Sequence, residues 1–196
     1  MIKIGLTGGV ATGKSTVGKL LRQKGIKVIS SDELAHQAMA PGGSAYQQIV
    51  AEFGWEIMMP DGKINRKFLG EIVFNDVIAR KKLEQMVHPI VIMEIQKAIE
   101  NCSKQGSAFI VVEVPLLFEV GLINLFDYIW VVSSSLEHQL YRLNERDGLT
   151  EQEALKRITA QMPLKEKEER ADAVIINNDS IDFLEKQVSN LLRTLE

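Results

Sequence analysis

Short apolar runs recur along the chain, and several are followed by segments whose apolar positions return every three or four residues. Residues 2–6 read as a buried strand and residues 7–13 as a glycine-bearing loop. Residues 15–24 read as a helix, with Val17, Leu20, Leu21 and Lys24 on helical spacing and Gly25 as its stop. Residues 26–29 form a second apolar strand, with Asp32 just beyond its end. Strand, loop, helix and strand in that order predict the opening of a parallel α/β sheet.

The pattern then turns helical. Pro41-Gly42-Gly43 ends a short helix that begins near Asp32. Helices are predicted over 45–53, 66–74 and 78–87, with a turn at Pro60-Asp61-Gly62. Pro89 is expected to open a fourth helix to Glu100, since proline is tolerated in a first turn. Trp55, Phe53, Met86 and Met93 are assigned to the core. The sheet resumes at 108–114, 128–133 and 173–176. Continuous apolar strands suit a parallel sheet covered on both faces. Between the last two strands lie a helix (136–146) and a charged excursion (147–170), and residues 181–195 read as a closing helix.

Composition narrows the picture. The 196 residues carry 23 basic and 26 acidic side chains, 45% are hydrophobic, and a core can form without staples. A net charge of −3 argues against a dedicated nucleic-acid binder, but leaves room for a local anion site. The single cysteine, Cys102, excludes an internal disulfide and suits a reducing, cytoplasmic setting. No leader is expected at MIKIGLTGG, and no segment is expected to span a membrane. The patterns leave the oligomeric state open.

The chemistry concentrates in Gly8-Gly9-Val10-Ala11-Thr12-Gly13-Lys14-Ser15, a full G-x-x-x-x-G-K-[ST] match between an apolar strand and an amphipathic helix. Glycines let several backbone N–H groups face one anion, and the helix adds its positive end. Lys14 is expected on the β- and γ-phosphates, and the Ser15 hydroxyl on Mg²⁺. A base-reading N/T-K-x-D motif and an L-S-G-G-Q motif are both missing from the sequence. A small-molecule kinase or a nucleotide-dependent switch remains.

A kinase needs a group that readies the acceptor hydroxyl, an acceptor pocket and cations for the moving phosphoryl. Asp32, at the carboxyl end of the second strand, suits the first role. It would equally serve as the N-cap of the next helix. Arg142 and Arg146 share a helix face at i, i+4, followed by Lys156, Arg157, Lys165, Lys167 and Arg170. These residues would furnish a basic lid or a solvated, salt-bridged face. Glu113 interrupts an apolar strand and would hold Mg²⁺ through water, or be a satisfied strand-end carboxylate. His88 reads as a packed structural residue on its own.

The motifs in sequence resemble the dephospho-coenzyme A kinase family from the first strand to about Asn178. The carriers are GLTGG-VATGKST, Ser30-Ser31-Asp32, Asp61-Gly62-Lys63-Ile64-Asn65-Arg66, Val87-His88-Pro89 and Val114-Pro115-Leu116-Leu117-Phe118-Glu119. Arg146-Asp147-Gly148-Leu149-Thr150, Gln161-Met162 and Asn177-Asn178 continue the likeness. The resemblance implies phosphorylation of the ribose 3′-hydroxyl of dephospho-coenzyme A by ATP with Mg²⁺.

It implies an α/β fold with a P-loop NTPase-type five-stranded parallel sheet, helices on both faces, a helical acceptor-binding insert and a lid. The nucleotide core would comprise 1–40, 105–146 and 171–196, the acceptor domain 41–104 and the lid 147–170. Gly9, Ala11, Thr12, Gly13, Lys14, Ser15, Thr16, Arg146 and Asn177 would bind ATP. Asp32, Lys14 and Arg142 would be catalytic, and His88, Pro115, Leu116 and Leu117 would shape the acceptor side.

Two departures stand out. Ser30 replaces the first aspartate of the family's D-A-D, and Ala11 replaces a frequent loop glycine. An alanine there is expected to keep φ negative.

Overall fold

The computed structural model describes residues 1–195. They divide into two compact units, 1–29 with 102–195, and 30–101. The first is built on β1 (Ile2–Gly8), β2 (Lys27–Ser30), β3 (Phe109–Glu113), β4 (Tyr128–Ser133) and β5 (Ala173–Ile176) in the order β2-β3-β1-β4-β5. β1 runs parallel to β3 and β4, and β4 to β5. The register sets Leu6 beside Glu113 and Gly8 beside Val132, so β1 delivers its loop from the middle of the sheet.

Side chains alternate across the strands. Ile4, Leu6, Val111, Trp130, Val132 and Ile175 pack on one face with Val17, Leu20 and Leu21 of α1 (Lys14–Gln23) and Leu184, Val188 and Leu192 of α9 (Ile181–Arg193). Each such fully buried aliphatic side chain contributes about 1.5–3 kcal/mol. Gly5 points to the other face, where a Cβ would come within 2.7 Å of Leu117 and 2.9 Å of Phe126. The strand therefore has no room for a larger residue at that point. The α/β architecture is the expected one.

The second unit carries α2 (Ser31–Ala38), α3 (Tyr46–Phe53), α4 (Arg66–Asn75) and most of α5 (Val77–Lys104). It begins at Ser30 rather than 41, because the Ala45 N–H bonds Ala38 O (2.9 Å) and joins α2 to α3. Tyr46 Oη donates to Gly62 O at 2.5 Å, which fixes the Pro60-Asp61-Gly62 turn against α3. Pro89 does not open a helix. It lies inside the continuous α5. Without an N–H it leaves Gln85 C=O without its helical donor. Trp55 is 79% exposed and Met93 is exposed, so neither belongs to the core; Phe53 and Met86 are half-buried.

The charged excursion folds as α7 (Glu151–Thr159) and α8 (Leu164–Glu169), preceded by α6 (Leu136–Asp147). All three count with the sheet unit. Thr150 and Glu153 form a reciprocal capping box that starts α7. No helix among the described residues is long and apolar enough to cross a membrane.

Candidate active site

The loop between β1 and α1 is shaped by what cannot fit around it. At Gly8 (φ 147°) a Cβ would lie 2.2 Å from Val132 O. At Gly13 (φ 96°) it would lie 2.0 Å from Asn177 Nδ2. Both positions also need a backbone conformation that L-residues avoid. Contrary to the expectation from its side chain, Ala11 has φ 57°. The loop's hydrogen bonds override the local preference.

That strain is measurable. Left-handed backbone costs a non-glycine residue about 1–2 kcal/mol, offset in part by glycine's greater freedom in the unfolded chain. Ala11→Gly is expected to raise Tm by about 1–4 °C, read by calorimetry. A lower Tm would show that the loop places no strain on that residue.

The loop's carbonyl oxygens are held from outside. Gln139 Nε2 donates to Val10 O (2.7 Å), and Asn177 Nδ2 to Thr12 O (2.8 Å). Arg142 Nη1 reaches Ala11 O (3.2 Å), Thr12 O (3.3 Å) and Ser134 Oγ (3.2 Å), while Nη2 reaches Asn177 O (2.8 Å). Thr12 is buried and donates through Oγ1 to Gly9 O (3.0 Å). Burial pushes the Arg142 guanidinium below its ordinary range, but guanidinium groups titrate too high for this to remove the charge.

With the carbonyls turned to these donors, the opening N–H groups of α1 stay with the loop. Gly13 caps α1 with no side-chain hydrogen bond, and the first turn carries no acidic residue. Within α1 itself, therefore, no first-turn carboxylate offsets the positive end of the helix dipole. Lys14 Nζ bonds Gly8 O (2.9 Å) and Gly9 O (2.6 Å). Ser15 is exposed and Thr16 half-buried in the first turn of α1.

Other expected residues fall out differently. Glu113 Oε1 lies 3.3 Å from Arg22 Nη2, and a Cβ at Gly18 of α1 would come within 2.0 Å of it. A guanidinium thus stands beside this strand carboxylate. Arg146 is exposed and grips Asp147 through two 2.9 Å bonds. That contact raises the guanidinium's pKa and lowers the Asp147 carboxyl's. In the turn after β3, Leu117 is fully buried, while Pro115 is half-buried and Leu116 exposed.

Asp32 and His88 belong to the helical unit. Asp32 does not cap α2. Ser30 Oγ accepts from Glu33 N (3.3 Å), and Asp32 is the exposed second residue of the helix. Ser30 thus has a structural use where the D-A-D pattern has an aspartate. His88 is half-buried and lines a pocket of about 380 Å³ with Lys81, Glu84, Gln85 and Pro89. The pocket sits where proline interrupts the hydrogen bonding of α5.

Sequence reasoning misses Gln139, Ser134 and the loop-holding use of Arg142 and Asn177. One signal is available: Gln139 and Arg142 stand at i, i+3 and share a face of α6. The sequence groups Lys167 with solvated or lid cations, but its side chain is 0% exposed.

A parallel sheet that feeds a G-x-x-x-x-G-K-S loop into a glycine-capped helix defines a nucleotide-binding protein of the P-loop kinase class. A family model described as dephospho-CoA kinase matches residues 2–182, and the chain belongs to that family of ATP-dependent kinases. It is 46% identical over 192 residues to a dephospho-CoA kinase of Geobacillus kaustophilus, covering 98% of this chain and 96% of the relative. A dephospho-CoA kinase of Carboxydothermus hydrogenoformans is 44% identical over 190 residues, at 97% and 92% coverage. The solved dephospho-CoA kinase from Campylobacter jejuni superposes with a TM-score of 0.73 at 32% identity, covering 98% of this chain and 96% of that one.

Proposed function

We propose that this chain transfers the γ-phosphate of ATP to the ribose 3′-hydroxyl of dephospho-coenzyme A, giving coenzyme A and ADP. The observation that carries this reading is the pinned loop ending in Lys14 and Ser15, within a chain matched to the family over residues 2–182. The 3′-oxygen attacks the γ-phosphorus in line, the bond to the β,γ-bridging oxygen breaks, and the hydroxyl proton passes to Asp32.

Gly9, Ala11, Thr12, Gly13, Lys14, Ser15 and Thr16 hold the phosphates, and the Lys14 ammonium offsets charge on the transferring group. Arg142 serves them indirectly, through Ala11 O and Thr12 O, and Asn177 does so through Thr12 O. Arg146 is the exposed cation that supplements them. His88 of the helical unit, and Pro115 and Leu116 of the turn after β3, are assigned to the acceptor; the buried Leu117 anchors that turn.

Ser15 has the hydroxyl and the exposure to ligate Mg²⁺, and Glu113 would act only through water, beside Arg22. No group of three or more His, Cys, Asp or Glu side chains among the described residues could hold a metal alone. A magnesium ion held at Ser15 would be carried mainly by phosphates and water, and would neutralise β- and γ-oxygen charge. We assign the reaction to the cytoplasm, with no nucleic-acid or membrane partner.

Purified protein with ATP and Mg²⁺ is to be assayed against dephospho-coenzyme A and a panel of nucleosides, nucleotides and shikimate. Product phosphorylated at the 3′-position only from dephospho-coenzyme A is expected. Turnover of another acceptor in its place would assign a different P-loop kinase. No product from any acceptor would assign a nucleotide-dependent switch.

A further inference from the structure

A second polar cluster lies on the sheet face opposite α1 and α9. Lys167, on α8, has its side chain fully buried. Its Nζ lies 2.7 Å from Glu119 Oε1 and donates to Pro115 O at 3.1 Å. Pro115 O also accepts from Thr7 Oγ1 (3.2 Å), one residue before the phosphate loop begins. Glu119 Oε1 accepts a second bond, from Met162 N (3.1 Å). The Arg170 guanidinium sits 4.6 Å over the Phe118 ring. Glu168 accepts from Ser133 Oγ and ties α8 to β4.

Three residues of the turn 115–119 are thus gripped by three residues of 162–170. An ammonium withdrawn from water costs several kcal/mol unless its partners repay it. A well-packed apolar side chain would hold α8 in place at least as well. What an apolar residue cannot do is fix the Pro115 carbonyl and the Glu119 carboxylate at hydrogen-bond distance. Those two groups bracket Leu116, the exposed leucine of the turn.

We propose that Lys167 is a positioning residue for the acceptor: its ammonium, through Pro115 O and Glu119, sets the turn that presents Pro115 and Leu116. This rests on the acceptor role proposed for that turn. The Lys167 ammonium bonds Glu119 and Pro115 O, whereas the phosphate loop's carbonyl oxygens are held by Gln139, Arg142 and Asn177.

The test compares Lys167→Met, which keeps the stem and removes the charge, with Glu119→Gln, which keeps the shape and weakens the pair. Leu116→Ala serves as the direct contact. KM for dephospho-coenzyme A, KM for ATP and kcat are measured well below Tm. Lys167→Met is expected to raise the acceptor KM on the order of tenfold to a hundredfold, as misplacement of binding groups does, with the ATP KM within about twofold. Glu119→Gln is expected to move it in the same direction by less. Equal changes in both KM values, or an unchanged acceptor KM, would overturn the proposal.

Should Lys167→Met not fold, Glu119→Gln decides the matter by the same two KM values. If Leu116→Ala raises the acceptor KM and the Lys167 and Glu119 variants do not, the positioning role fails and the acceptor reading stands. If all three leave it unchanged, the acceptor reading of the turn fails with it.

Discussion

Lys14→Ala is expected to lower kcat by about 10²–10³-fold, the range found when one preorganised charge or donor is removed from a transition state. Lys14 is the first residue of α1, and its ammonium is held at the loop by Gly8 O and Gly9 O. Truncation removes the cation, while the bonds from Gln139, Arg142 and Asn177 still shape the loop. The variant should therefore fold and still bind nucleotide, more weakly. Steady-state kinetics with a separate nucleotide-binding titration distinguishes the two effects. A loss of less than about tenfold in kcat would remove Lys14 from the transition state.

The second large effect is Asp32→Asn. The change keeps the side chain's shape and removes its capacity to take a proton. General-base catalysis is worth about 10²–10⁴-fold, and kcat is expected to fall by that amount. Because Ser30, not Asp32, caps α2, and because Asp32 is exposed, stability should stay within about 0.5–1 kcal/mol of the parent. Both Kd for ATP and Tm should hold steady while turnover collapses. A variant with near-parental kcat would refute the base assignment.

The features that the chain announces in advance are those that depend on near neighbours. The phosphate loop is legible because its glycines, Lys14 and Ser15 stand within eight residues, between an apolar strand and an amphipathic helix. The five strands are legible because buried parallel strands are apolar without alternation. Asp32 falls at its helix start as expected, but Ser30 takes the cap, a choice between two good capping residues that composition does not decide.

What stays hidden depends on partners far along the chain. Arg142 meets Ala11 and Thr12 across 131 and 130 positions, and its commitment to their carbonyls has no local sign. Lys167 sits in Leu-Lys-Glu-Lys-Glu-Glu, which reads as a solvated helix until Glu119 and Pro115 fold against it. Ala11 breaks its own residue preference because the surrounding hydrogen bonds outweigh it. Pro89 reads as a helix start because a proline within a 28-residue helix is the rarer arrangement.

The bare glycine start of α1 also bears on how the protein survives. A helix whose positive end is completed by an anion from outside has part of its folding free energy supplied by the solution around it. Folding and donor occupancy are then thermodynamically linked, worth about 2.7 kcal/mol at a hundredfold excess over Kd. Resistance to heat and proteolysis will accordingly track the surrounding polyphosphate concentration, so that the donor acts as a stabiliser before it acts as a reactant.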